Sequence, residues 1–147
     1  MSQQAVSIAR QLSEEVWNQR RVDLADNLIG PNHINHDPNT PDLGRGPEGY
    51  KRLVALYTTA FPDLRFTLTD TVCEGDKIAM VWQVEGTHTG DLRGTPPTYK
   101  RVFIEGVTVS RHANGKLQES RVSWDALGMM QQLGIVPPLA QKAAGSR

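Results

Sequence analysis

The sequence predicts an α+β fold in which helices pack into a strongly curved, mainly antiparallel sheet. Three observations carry this expectation. Up to Pro62 the apolar residues recur every three or four positions, and after it they recur every second position. The alternating runs are long and contain Gly86 and Gly106, at points where a strand bends or bulges. A bent sheet has a concave side, and the N-terminal helices are available to fill it.

The first helix is expected over residues 3–18, where Ala5, Ile8, Ala9, Leu12 and Val16 share one face. A shorter helical run carries Val22, Leu24, Ala25, Leu28 and Ile29 and stops at Gly30 and Pro31. The stretch NHINHDPNTPDLGRGPEG is rich in Pro, Gly, Asn and Asp and reads as a loop. Pro47 then suits the first turn of a third helix, whose apolar stripe ends at Pro62. Four strands follow: LRFTLTDTV, DKIAMVWQVEGTH, YKRVFIEGVTVSR and KLQESRVSWD. The Asn-Gly of ANGK joins the last two as a hairpin. A helical pattern resumes directly after Asp125. The expected organisation is one domain over residues 1–137 and a frayed tail over 138–147.

A chain of 147 residues can bury one substantial core. Lys plus Arg and Asp plus Glu each number 16, so no basic excess recommends nucleic acid or an anionic membrane as a partner. Cys73 is the only cysteine, which excludes an intrachain disulfide and a four-thiolate zinc site. Charges inside the first apolar pattern argue against a signal peptide and a membrane span. A cytoplasmic protein is expected. No phosphate-binding loop, dinucleotide fingerprint or nucleophile elbow occurs.

From Glu85 to Gly134 the chain contains GTHTG, GTPPT, NGK followed closely by Glu119, and an Asp followed by QQLG. In this order and spacing the pieces resemble the second half of the SnoaL-like polyketide cyclases, in the NTF2-like superfamily. HDP at 36–38 resembles a motif of that family's first half. The resemblance implies a cone-shaped α+β barrel with a deep pocket between sheet and helices. It also implies a cofactor-free intramolecular aldol closure of a small-molecule substrate, with an Asp at the end of the last strand as acid/base. Asp125 is the matching residue. Arg121 stands where family members often carry Trp, and Tyr99 where they often carry Gly.

Regular alternation puts Leu117, Glu119, Arg121, Ser123 and Asp125 on one strand face, and Lys116, Gln118, Ser120, Val122 and Trp124 on the other. The first face holds Glu119, Arg121 and Asp125 and is expected to line the pocket, where burial tunes a carboxylate for acid/base work. Asp125 also suits the N-cap of the following helix, and the two roles are compatible. Arg121 is either an ion-pair partner of Glu119 or Asp125, or a bidentate clamp for an anionic substrate group. Asn35 and His36 are expected at the pocket mouth as hydrogen-bonding groups for a carbonyl or enolate, with turn chemistry as the competing reading. The loop histidines His33 and His36 lack zinc-ligand spacing, so neither metal nor cofactor is expected. Trp82 is core or pocket wall; His88 either reaches the pocket or sits in a turn. Two other activities stay open: epoxide opening of the limonene-epoxide-hydrolase-like type, and ligand binding without catalysis in a dimerisation module. A homodimer is expected, because the face carrying Val122 and Trp124 would otherwise be exposed.

Overall fold

The change of period at Pro62 marks where the antiparallel strands begin. The computed structural model describes residues 2–137; the tail expected at 138–147 lies outside them. Helix α1 spans Ser2–Gln11 and continues as π-helical turns over Leu12–Asn18, which bury Leu12, Ser13, Val16 and Trp17. A 3₁₀ turn at Val22–Leu24 leads into the short α2, Ala25–Leu28. Helix α3 is Gly46–Ala60, with Pro47 in its first turn. Strands β2 (Arg65–Glu74), β3 (Lys77–Thr87), β4 (Arg101–Ala113) and β5 (Lys116–Trp124) form an antiparallel meander, and α4, Ala126–Gln132, closes the described chain. Among these residues no helix is long and apolar enough to cross a membrane.

One strand was hidden in the expected loop. Ile29–His36 forms β1, which pairs parallel to β5 with Asn35 opposite Ser120. Its sequence, IGPNHINH, is turn-like, but β1 is an edge strand, where a proline has no ladder bond to lose. Pairing to β5 overrides local propensity here. The sheet order is β1-β5-β4-β3-β2, so the sheet is mixed and open, with β1 and β2 as its edges. The barrel does not close through strands; helices cover the concave side instead.

Two core clusters fix those helices. Leu12, Val16 and Trp17 pack with Val54, Phe61 and Ile104 between helices and sheet. Ala5 and Ala9 of α1 pack on Ile78, Met80 and Trp82 of β3. Arg20, at φ 62°, staples the end of the first helical unit to the α3–β2 turn. Its guanidinium donates to the carbonyls of Trp17, Pro62 and Leu64.

Two features of β4 and β5 set what faces inward. Gly106 lies in register between Trp82 and Trp124. A Cβ there would come within 2.3 Å of the Trp82 ring and 2.8 Å of Trp124 Cβ, so only glycine lets both indoles lie over this rung. The second feature is a bulge. Arg111 pairs with Glu119 but His112 pairs with Leu117, which leaves Gln118 as an extra residue on β5. Leu117 and Ser120 are therefore both buried. Beyond the bulge, Ser120, Val122 and Trp124 face the concavity while Arg121 and Ser123 are exposed. This reverses the face assignment that regular alternation gave.

Candidate functional site

All five strands, with α1, α3 and α4, enclose a cavity of about 130 Å³. Its walls are largely apolar, and seven of the lining side chains are aromatic. Trp17 stacks on Phe66 at 5.6 Å, and Phe66 on Trp82 at 5.3 Å. Trp17 Nε1 donates to Tyr50 Oη at 2.8 Å, and burial pushes the Tyr50 phenol up to about 12. Trp82 Nε1 donates to Thr108 Oγ1 at 2.9 Å, so both indoles are satisfied without a ligand.

Two of the cavity's polar groups, Asn35 and Asp37, come from the end of β1 and the residue after it. In HINHD the strand's alternation turns His33, Asn35 and Asp37 toward the sheet's concave side and His36 away from it. Asp37 is 6% exposed. Its Oδ2 accepts from Trp124 Nε1 at 3.1 Å, and its Oδ1 accepts from the Asn39 backbone N–H at 3.0 Å and from Asn39 Nδ2 at 3.1 Å. Tyr57, from α3, meets the Trp124 ring edge-on at 5.9 Å. Burial first, and the Asp37 charge second, push the Tyr57 phenol up to about 12, with Arg93 opposing. At neutral pH this phenol is a hydrogen-bond donor. Among the described residues that line the cavity, Asp37 is the one carboxylate, and no Lys, Arg or His accompanies it.

The expected site residues divide. Asn35 and Trp82 line the cavity. His36 lies on the outer side of β1, where Nε2 sits 2.7 Å from Glu119 Oε2. Arg121 is on the same outer side, 3.6 Å from Glu119, with its side chain 69% exposed. The hydrogen bond from His36 holds the Glu119 carboxyl below its usual range, and Arg121 and Arg111 add to that. The structural ion-pair reading of Arg121 therefore describes its geometry. His88 is fully buried but does not line the cavity. Its Nδ1 accepts the Thr98 N–H at 3.1 Å, its ring tilts against Phe61 at 5.4 Å, and its backbone pairs with Tyr99 and Lys100 just past the end of β3.

Asp125 also lies off the cavity. It is exposed, and its Oδ1 accepts the Gly128 N–H at 2.8 Å, as an N-cap does. A Cβ on Gly128 would fall 2.1 Å from the carboxylate, so glycine three residues on makes room for the cap. The expectation that Asp125 faces the pocket failed because the Gln118 bulge changed the parity of β5. Sequence reasoning passed over Asp37 as a turn residue. The signal was the two-residue spacing of His33, Asn35 and Asp37, masked by the prolines and asparagines around it. Among the described residues, no group of three or more His, Cys, Asp or Glu is placed to hold a metal ion.

A family model for SnoaL-like polyketide cyclases matches residues 7–133. Nogalonic acid methyl ester cyclase from Streptomyces nogalater is 29% identical over 119 residues, covering 80% of this chain and 89% of that protein. Aklanonic acid methyl ester cyclase DnrD from Streptomyces peucetius is 28% identical over 135 residues, covering 88% and 90%. Among solved structures, a proposed polyketide cyclase from Acidithiobacillus ferrooxidans superposes with a TM-score of 0.79 at 34% identity, covering 89% of this chain and 94% of that one. IdmH from Streptomyces antibioticus, described as a proposed polyketide cyclase, gives a TM-score of 0.76 at 28% identity, covering 88% and 97%.

Proposed function

The chain belongs to the SnoaL-like polyketide cyclase family and has its NTF2-like α+β fold, and from that premise we propose that it closes a ring by cofactor-free acid/base catalysis, with Asp37 as the acid/base. One observation supports this reading above the others: Asp37 is the single carboxylate among the described residues lining an aromatic cavity. Its three donors fix its orientation.

The chemistry conserves every atom of the substrate. The Asp37 carboxylate removes a proton from a carbon next to a carbonyl. The enolate oxygen takes a hydrogen bond from the Tyr57 phenol, which lies by Trp124 in the same wall. The enolate carbon attacks a second carbonyl of the same molecule, forming the new C–C bond. The resulting alkoxide takes its proton back from Asp37. No electrons are exchanged with a partner, so no redox cofactor enters. The substrate this cavity suits is neutral and largely apolar, with flat rings to meet the stacked Trp17, Phe66 and Trp82, since the walls are apolar and no cation among the described residues faces inward. That replaces the anionic ligand expected from Arg121.

Nogalonic acid methyl ester and aklanonic acid methyl ester are the trial substrates that the relatives' names supply. On whichever of them the wild type converts, Asp37→Asn should lower turnover by about 10²-fold or more while the melting temperature stays within a few degrees. Asp125→Asn, which keeps the cap, should turn over near the wild-type rate. Full turnover by Asp37→Asn, or collapse of turnover in a stable Asp125→Asn, overturns the assignment of the acid/base to Asp37.

A further inference from the structure

The cavity has a second polar wall that the ring-closure scheme leaves idle. On β4 the inward positions near the hairpin include Thr108 and Ser110, and the β5 bulge sets Ser120 opposite Ser110. Ser110 Oγ and Ser120 Oγ are 2.7 Å apart. Ser120 Oγ is in turn 2.8 Å from His33 Nε2. All three side chains are buried, and both serines line the cavity.

The bonds within this chain do not use it up. A hydroxyl has one hydrogen to donate and two lone pairs to accept with. When His33 Nε2 accepts, Ser120 donates to it and takes the Ser110 hydrogen, and each serine oxygen keeps accepting capacity. When His33 Nε2 donates, the hydrogens run the other way and Ser110 has one left for the cavity. The chain therefore serves as acceptor or donor toward a ligand, according to the tautomer. Both serines line the cavity, so this spare capacity is open to a ligand's polar group.

The charge state narrows the ligand. Burial first, and the nearby His36 second, lower the His33 pKa to about 4, against the pull of Glu119. At neutral pH the chain is uncharged, and it matches an uncharged partner. The same burial penalises the imidazolium that a serine nucleophile would need, so the arrangement fits recognition better than attack. Asn35 pairs with Ser120 across the β1–β5 ladder, and Asp37 follows two residues later, just past the end of β1, where its N–H turns back to the Asn35 carbonyl at 3.1 Å. The serine pair and Asp37 are thus neighbouring poles of one wall.

We propose that Ser110, Ser120 and His33 form a polar subsite for an uncharged ring oxygen, a phenol hydroxyl or a ketone. The oxygen sits on the same ring system as the carbon that Asp37 deprotonates. This rests on the reading of the cavity as the ring-closing site. The subsite selects substrates by an oxygen that takes no part in bond formation.

Calorimetric titration with 1-naphthol and 1,3-dihydroxynaphthalene tests it without turnover. Wild type should bind the diol about tenfold more tightly than the mono-ol, because the diol engages both poles. Ser110→Ala/Ser120→Ala should bind the two equally, with its affinity for 1-naphthol unchanged. If that variant fails to fold, Ser110→Ala alone leaves the Ser120–His33 pair in place, and the preference should shrink at least threefold. A preference that survives intact in the serine variants, no preference in wild type, or no binding of either naphthol up to millimolar concentration overturns the subsite. Failure of the ring-closing reading looks different: Asp37→Asn then leaves turnover untouched while the naphthol preference still follows the serines.

Discussion

At Asp125 and His33, single side chains make separable contributions. Replacing Asp125 by Ala removes the acceptor for the Gly128 N–H and should cost about 1 kcal/mol in urea unfolding, whereas Asn should cost almost nothing. His33 links stability to pH. In the folded state it holds a proton only below about 4, while in the unfolded chain it does so below 6.5. Between those values the unfolded state binds the extra proton. Stability is therefore complete above pH 6.5 and falls as pH drops toward 4, by up to about 3 kcal/mol. The groups facing His33 are His36 and Glu119, and the hydrogen bond from His36 holds the Glu119 carboxyl below its usual range. Urea melts at pH 7, 5.5 and 4.5 should show the decline, and His33→Gln should flatten it. Some of this was legible in the residues alone. The helix start behind Asp125 and its fitness as a cap were; the inward aim of Asp37 was not, because nothing in a run of Asn and Pro distinguishes an edge strand from a loop.

The elements show where pattern reading holds and where it breaks. Strands β3 and β4 and helix α3 follow the periodicity closely, since each has one wet and one dry side for the pattern to record. Strand β1 escaped, because its pairing to β5 is long-range and leaves little mark on its own residues. The faces of β5 were reversed for a different reason: one inserted residue, Gln118, shifts the period without altering the composition. Gly106 was marked correctly as special, but its cause is close approach of two indoles rather than a bend alone. Gly106→Ala should destabilise by about 1–3 kcal/mol through overpacking against Trp82 and Trp124, read as a lowered denaturation midpoint at unchanged slope. The same substitution at Gly75, which meets nothing within 4 Å, is strained only by its φ of 59° and should cost less.

For the whole molecule, the outer face of the sheet is unfinished business. Phe103, Val107 and Val109 on β4 are 50%, 41% and 41% exposed, beside the half-buried Ala79 and Val81 of β3. They take the place on that face that regular alternation had assigned to Val122 and Trp124. A second copy of the chain is the expected cover. Sedimentation at micromolar concentration should give a dimer, and Val109→Arg should give a folded monomer; a wild-type monomer at that concentration defeats the expectation. The other side of the same sheet has an optical consequence. The chain has three tryptophans, and Trp17, Trp82 and Trp124 all line the cavity. Its entire indole emission therefore originates at the binding wall, with no distant fluorophore to dilute the signal. A coloured ligand that enters will dim the whole protein by energy transfer, so an unlabelled sample and a compound library suffice to search for what it binds.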